Sequence, residues 1–343
     1  MERKIDIDLI KALAIFGVIT IHTCSGGFTY PIASFNWVSA LFWNALFRPC
    51  VPLFLMCSGA LFLPAVRQLS IKDIYRKYIL RIVVAMLAWS MLYKVYHLLV
   101  AGSFSFELLL GAVKQVLLLK QEFHFYYLHM VILFYAFLPL VRILVQHATK
   151  KELHYVLLLW FLVGILYPTV KTWPPFNALS GIPAQWLLNM AYSSIGYGLL
   201  GYYLKAYEIS LRTAAVSFLS GFALVFGGTF IMSVSKGALY DGFLEGMSVG
   251  VALMAVGVFA LCVIWSKRLN GKPAAMITFI SKASFCIYLV HVFFIYLLPH
   301  FNMTVFMLPT ILSIPAISAL NLILCSIIYW VLAKIPIVKK WLI

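Results

Sequence analysis

The sequence predicts an all-α, polytopic helical membrane protein with about ten transmembrane helices and both termini in the cytoplasm. Of its 343 residues, 64% are hydrophobic and only 10% are charged, whereas soluble proteins carry about 25% charged residues. Mean hydropathy is +1.00, and apolar stretches long enough to cross ~30 Å of hydrocarbon recur along the chain. These long uninterrupted runs exclude a transmembrane β-barrel, whose strands are short and alternating. Residues 1–343 are therefore predicted to form a single transmembrane domain.

The first predicted span is interpreted as a retained helix, because Asp6 and Asp8 do not suit a signal peptide and no typical cleavage site follows. In the second span, Pro49 and Pro52 are expected to break or kink the helix. The stretch 104–119 is too short and too amphipathic to cross, and is expected to lie in the interface or to be re-entrant. The ten predicted spans are 8–24, 38–63, 78–100, 125–146, 153–170, 187–207, 212–233, 243–265, 275–298 and 308–333.

Lysine and arginine set the predicted orientation, because cytoplasmic loops carry an excess of both. With a cytoplasmic N-terminus, 20 of the 26 basic residues, Arg3 among them, fall on the inner side. This bias accounts for the net charge of +16, and no soluble basic face remains for nucleic acid. The outer six are Arg48, Lys94, Lys114, Lys120, Lys171 and Lys236.

Six cysteines lie in or beside the spans without the spacing of a metal site, and no metal is expected. Each is interpreted as a small buried apolar residue. Cys24 and Cys50 both approach the outer side, which leaves one disulfide open.

Two ionisable residues share one face of the first span, in the stretch KALAIFGVITIH at 11–22. Lys11 and His22 are eleven residues apart, which is about three helical turns and about 16 Å. Lys11 alone could reach anionic headgroups, and His22 alone could hydrogen bond to a neighbouring helix. Because ionisable groups within spans are costly and usually face a cavity, the pair favours a helix face that lines a pocket or path.

Polar residues occur at unexpected places in four further stretches. An aromatic belt explains the tyrosines near residue 126, but it explains Glu122 and His124 poorly. In span nine, Ser284, Tyr288 and His291 form a polar ladder on one helix face. This ladder either packs helices together or belongs to a site. These groups are Arg48 in span two, Lys77 and Arg81 in span three, Glu122, His124, Tyr126 and Tyr127 before span four, and Ser284, Tyr288 and His291 in span nine.

Together these stretches resemble the acyltransferase 3 family of ten-helix membrane O-acyltransferases, in its compact form without an extracytoplasmic domain. The family opens with Asp, Leu and an arginine followed later by histidine; here Asp8-Leu9 precedes Lys11, and His22 stands at the matching place. Lysine retains the charge of arginine but loses its planar fork. Further matches, running in order to about residue 298, are VPLF at 51–54, MCSG at 56–59, HFYYLHMVILFYAFLPL at 124–140, GYGLLGYYL at 196–204 and IYLVH at 287–291.

The resemblance implies an enzyme of the inner (plasma) membrane that moves an acetyl, or another short acyl group, from cytoplasmic acyl-CoA to a hydroxyl of an envelope glycan. Its partners would be acyl-CoA as co-substrate, with acetyl-CoA expected, a membrane-proximal or lipid-linked glycan, and the bilayer. No bound cofactor is expected, and no nucleic acid.

The resemblance also assigns roles to residues. The family often has two arginines in span three; Tyr78 stands where the first would fall, which leaves Arg76 or Lys77 as its substitute. The CoA phosphates would contact a basic cluster of Lys11, Arg76, Lys77 and Arg81. His22 would act as general base, with a covalent acyl-histidine as a variant. Glu122 with His124 would orient it, ahead of Glu107, Asp241 and Glu245. Arg48 would either stabilise the oxyanion or cap broken backbone.

Two other function classes remain open at this point. Broken helices and a basic cytoplasmic mouth also suit a transporter or flippase of a lipid-linked glycan or an organic anion, although no inverted repeat is visible. A scaffold or glycan-binding subunit without catalysis is the third class, because lysine replaces the family's arginine at Lys11.

Overall fold

The computed structural model describes residues 4–173 and 181–343, and within these ranges the chain forms helices and connecting turns. Arg3, one of the predicted inner basic residues, lies outside the described residues. The helices are α1 (Ile5–Thr23), α2 (Phe35–Phe47), α3 (Cys50–Phe62), α4 (Ile71–Val100), α5 (Phe106–Leu117), α6 (Tyr126–His147), α7 (Lys150–Thr172), α8 (Met190–Ala206), α9 (Leu211–Lys236), α10 (Val249–Ser266), α11 (Gly271–Leu297), α12 (Thr310–Leu332) and α13 (Pro336–Trp341).

Nine helical segments in the described part of the chain are long and apolar enough to cross a membrane. They coincide with nine of the ten predicted spans. The tenth predicted span corresponds to α8, which has 17 residues and a length of about 25 Å. The prediction of an all-α polytopic membrane protein is therefore confirmed.

The second span is broken, as the prolines predicted. Helix α2 ends at Phe47, and α3 begins at Cys50 after Arg48 and Pro49. The amphipathic stretch 104–119 forms α5, in which only Ala112 and Val116 are buried. Such a helix suits an interfacial position.

Helix α1 lies at the centre of the bundle. It packs against α2, α3, α10, α11 and α12, and Ile10, Ile15 and Ile19 are fully buried. Its polar groups are therefore surrounded by protein. Near its start, Asp8 accepts hydrogen bonds from Ser281 at 2.6 Å and Thr278 at 3.2 Å, while Asp6 pairs with Lys205.

Helices α3 and α8 approach each other closely through glycines. A Cβ atom on Gly59 would lie 1.8 Å from the carbonyl oxygen of Gly198, and one on Gly201 would lie 2.1 Å from that of Met56. Both neighbours are backbone atoms, which cannot rotate away. Such contacts are typical of membrane proteins, in which small residues let two helices pack closely. Gly59 is the last residue of the MCSG stretch.

We expect Gly59→Ala to destabilise the protein by about 1–3 kcal/mol, because the added methyl group forces α3 and α8 apart. Gly111→Ala on α5 is the matched control, since a Cβ there meets no atom within 4 Å. Thermal unfolding in detergent would show a lower midpoint for Gly59→Ala and an unchanged or higher one for Gly111→Ala. Equal midpoints for both variants would contradict the close contact.

Candidate functional site

Two cavities adjoin at the end of the bundle where α1 begins. The larger, which we call the basic mouth, has a volume of about 770 Å³ and is lined among others by Lys4, Asp8, Lys11, Arg67 and Lys282. The second, the tyrosine cavity, has a volume of about 360 Å³. Residues that line both cavities are Lys11, Leu61, Arg67, Arg81, Ser284 and Phe285, and the two cavities are therefore neighbours along one path.

The tyrosine cavity leads from the cations into the bundle. Lys77 lines it near the mouth, together with Tyr78, while Tyr127 and Tyr288 line its deeper part. On α11, Ser284 and Tyr288 are one turn apart, so the ladder seen in the sequence faces this cavity. His291 follows Tyr288 by almost one further turn.

Three of the four basic residues predicted for this end line a cavity, and one does not. Lys11 and Arg81 line both cavities, and Lys77 lines the tyrosine cavity. Lys77 also pairs with Asp73 at 2.8 Å. Arg76 is exposed and is not among the residues that line either cavity. Both Arg76 and Lys77 lie in a π-helical segment, Ile74–Ile79, whose turns are wider than those of an α-helix.

Arg67 is a cavity residue that the sequence analysis placed only by its charge. Its guanidinium donates to the Tyr78 hydroxyl at 2.8 Å and to the Leu61 carbonyl at 3.3 Å, and it lies 4.0 Å above the Phe62 ring. Its position eight residues after the MCSG stretch, just past the basic end of a span, is the one sequence signal that could have selected it.

Arg142 holds the segment that carries Arg67. Its guanidinium donates to the backbone carbonyls of Phe62 and Arg67 at 2.5 Å each and to that of Pro64 at 3.4 Å. These carbonyls belong to the end of α3 and the loop after it, where no helical partner remains. Arg142 therefore acts as a side-chain cap for α3 and fixes the loop.

Three histidines meet beside Tyr288, which lines the tyrosine cavity, although none of the three lines that cavity itself. The ring of His22 lies 5.4 Å from that of His291, and His291 lies 5.2 Å from His124 between ring centroids. His291 and His124 are buried, at 0% and 1% exposure. The sequence singled out all three, but it related only His22 and His124 to catalysis and left His291 open between packing and a site.

A backbone carbonyl orients the ring of His291, and a side-chain hydroxyl anchors the backbone of His124. His291 Nδ1 lies 2.7 Å from the Tyr288 carbonyl oxygen, and because a carbonyl only accepts, we assign the proton to Nδ1 and the lone pair to Nε2. That Nε2 has no hydrogen-bond partner in the described ranges. The Tyr288 hydroxyl donates to the His124 carbonyl, so Tyr288 connects the tyrosine cavity to the histidine cluster.

Glu122 lies beside the cluster rather than in it. Its carboxylate contacts His97 Nε2 at 3.0 Å and accepts from the Tyr296 hydroxyl at 3.2 Å. Glu122 therefore contacts His97 and not His22. The neighbour of Glu122 that reaches the His22 ring is Phe123, at 5.1 Å between ring centroids. Glu122 fixes the start of the short turn Phe123–Phe125, which presents both Phe123 and His124 to the cluster.

Arg48 lies at the break between α2 and α3 and faces a third cavity. This outer cavity, of about 280 Å³, is lined by Ile21, Arg48, Val51, Pro52, Tyr126, Met130, Met190, Leu244, Glu245, Gly246 and Met247. Arg48 Nε donates to the carbonyl of Leu244. Arg48 thus caps backbone, although the carbonyl belongs to the loop before α10 and not to the broken span.

Cys24 and Cys50 do not form the disulfide that the sequence left open, since all six cysteines are free and buried. Within residues 4–173 and 181–343, no group of three or more His, Cys, Asp or Glu residues is arranged to hold a metal ion.

Comparison with known families gives one match. The model of a family described as an acyltransferase domain matches residues 4–330, a range that contains the basic mouth, the tyrosine cavity and the histidine cluster. No curated protein and no solved structure matches the chain.

We expect Arg142→Ala to lower stability by about 2–4 kcal/mol, because the buried carbonyls at the end of α3 lose a charged donor. Arg212→Ala, at an exposed position of α9, is the control for loss of a positive charge. Limited proteolysis with trypsin should cut at Arg67 faster in Arg142→Ala than in Arg212→Ala. Identical cleavage in the two variants would show that Arg142 does not hold this loop.

Proposed function

The chain belongs to the acyltransferase 3 family, and from this premise we propose that it transfers an acetyl group from acetyl-CoA to a hydroxyl of an envelope glycan. The protein is a multi-pass membrane acyltransferase; the donor, the glycan and the plasma membrane as its location are our proposal. The observation that supports it best is the path from the basic mouth through the tyrosine cavity to Tyr288, whose ring lies beside those of His124 and His291.

The basic mouth has the chemistry needed for the nucleotide end of CoA. CoA carries several phosphate charges, and lysine and arginine side chains bind phosphate through charge-assisted hydrogen bonds. Lys11, Arg67 and Arg81 line both cavities, so phosphates bound there would lie at the entrance of the tyrosine cavity. Lys4 and Lys282 add two further positive charges to the lining of the basic mouth.

The tyrosine cavity would hold the pantetheine arm. It is narrow relative to the mouth, and its walls combine apolar rings with hydroxyl groups at Tyr78, Tyr127 and Tyr288. An extended, amide-containing chain suits such a lining. From Ser284 at the entrance to His291 is seven residues of one helix, which is about 10 Å. A thioester beyond the arm would therefore reach the histidine cluster.

In the proposed reaction His22 accepts the proton of the acceptor hydroxyl while the hydroxyl oxygen attacks the thioester carbonyl carbon. A carbon–oxygen bond forms, the carbon–sulfur bond breaks, and the CoA sulfur takes the proton from His22. His291 would orient His22, because its Nε2 lone pair can accept a hydrogen bond from an imidazole. This role replaces the one that the sequence analysis gave to Glu122, whose carboxylate is engaged by His97 and Tyr296.

We expect His22→Ala to lower the rate of acetyl transfer by at least ~10²-fold, the usual contribution of a general base. His129→Ala is the matched control, since His129 lies on α6 and hydrogen bonds to Gln121 at 3.2 Å outside the cluster. The measurement is transfer of radiolabel from acetyl-CoA by purified protein in lipid nanodiscs. A His22→Ala rate within about threefold of the unaltered protein would contradict the assignment of the base.

Lys11→Ala should weaken acetyl-CoA binding about tenfold, the loss expected for one charge-assisted phosphate contact, whereas Lys11→Arg should retain it. Arg76→Ala removes a positive charge from the same end of the bundle, but from a residue that lines neither cavity. Isothermal titration with acetyl-CoA should therefore give an unchanged affinity for Arg76→Ala. Equal losses in the two alanine variants would indicate a diffuse charge effect instead of a defined mouth.

A further inference from the structure

We propose that the outer cavity is the acceptor subsite and that it binds one neutral pyranose ring, the sugar whose hydroxyl receives the acyl group. This proposal rests on the transferase function above and adds to it the place and the size of the acceptor. The cavity has a volume of about 280 Å³, at the lower end of the ~300–1,000 Å³ typical of small-molecule pockets. It therefore suits one ring and not an oligosaccharide.

The outer cavity and the tyrosine cavity lie on two sides of the same helices. On α6, Tyr126 lines the outer cavity and the next residue, Tyr127, lines the tyrosine cavity. On α3, Val51 and Pro52 face the outer cavity, whereas Phe54 faces the other.

His22 lines neither cavity, but it lies next to residues connected to each of them. Ile21, its neighbour on α1, lines the outer cavity, and the Arg48 charge there is near enough to act on the His22 ring. On the other side His22 contacts His291, which follows Tyr288 of the tyrosine cavity. A donor in the tyrosine cavity and an acceptor in the outer cavity would therefore both lie near the same imidazole.

The polar lining of the outer cavity matches the demands of a sugar. A sugar hydroxyl both donates and accepts hydrogen bonds, Arg48 supplies N–H donors, and Glu245 supplies carboxylate oxygens as acceptors. Both charges act on the hydroxyl of Tyr126, so the three groups are close together. The ring of Tyr126 adds an apolar face for the C–H groups of a pyranose. One cation and one anion in the lining favour a neutral ring over a charged one.

The loop that carries Glu245 is fixed from several sides. Arg48 donates to the carbonyl of Leu244, and the fully buried Tyr197 donates through its hydroxyl to the carbonyl of Gly246 at 2.9 Å. The Ser248 hydroxyl closes the loop onto Phe243 at 2.9 Å. The residues on both sides of Glu245 are thus held by Arg48, at the break between α2 and α3, and by Tyr197 of α8, and little ordering entropy would remain to be lost when a sugar binds.

The test compares Glu245→Gln with Asp241→Asn in lipid nanodiscs supplied with radiolabelled acetyl-CoA. Asp241 is an exposed acid of the same loop that is not among the outer-cavity residues, and it controls for loss of negative charge. The acceptors are methyl pyranosides of the common hexoses, N-acetylhexosamines and hexuronic acids. We expect Glu245→Gln to raise the KM for a neutral pyranoside about tenfold, with the KM for acetyl-CoA unchanged, and Asp241→Asn to leave both unchanged.

Tyr126→Leu provides a second variant, because it removes the aromatic face without changing charge and should also raise only the acceptor KM. An unchanged acceptor KM in both Glu245→Gln and Tyr126→Leu would overturn the acceptor subsite. An equal rise in the KM for acetyl-CoA would overturn it as well, as would transfer to the hexuronic acids alone or to no pyranoside while acetyl-CoA still binds. Failure of the unaltered protein to bind acetyl-CoA at all would instead contradict the proposed function.

Discussion

The burial of ionisable groups inside a membrane is the constraint on which this structure depends. A lysine and a histidine in contact with lipid would be costly, and the chain avoids this cost by placing α1, which carries Lys11 and His22, at the centre of the bundle. The polar face of α1 then requires partners from other helices. The cations of α4, the tyrosines of α6 and α11, and His291 collect along that face and leave the cavities between them.

Residues outside the cavities hold this arrangement in place. Arg142 caps the end of α3 and fixes the loop of Arg67, while Glu122, held by His97 and Tyr296, fixes the turn that carries His124. The glycine contact between α3 and α8 brings Tyr197 of α8 within reach of the loop that carries Glu245. Arg142 satisfies backbone carbonyls, Glu122 is held by side chains, and the glycines let two helices meet. In each case the fixed backbone then presents a site residue.

Much of the fold was predictable because membrane helices are read from local sequence. The apolar runs gave the spans, and Pro49 gave the break before α3. The shared face of Lys11 and His22 was predictable for a similar reason, because both residues lie on one helix and helical periodicity alone decides which face each occupies. Contacts between distant helices were not. The approach of His291 to His22 depends on how α1 packs against α11, and the engagement of Glu122 by His97 depends on α4. The exposed position of Arg76, which the resemblance offered as an alternative to Lys77, likewise depends on the local backbone, because Ile74–Ile79 is π-helical.

In the proposed mechanism, the donor enters from the basic end of the bundle and its acyl group reaches His22 from that same end, without CoA crossing the membrane. Charge bias predicts that this basic end lies in the cytoplasm. The direct measurement uses right-side-out and inside-out vesicles, with a membrane-impermeant CoA analogue added to one face and acetyl transfer recorded. The account predicts that the analogue inhibits only from the cytoplasmic face. Inhibition from the outer face alone would contradict it.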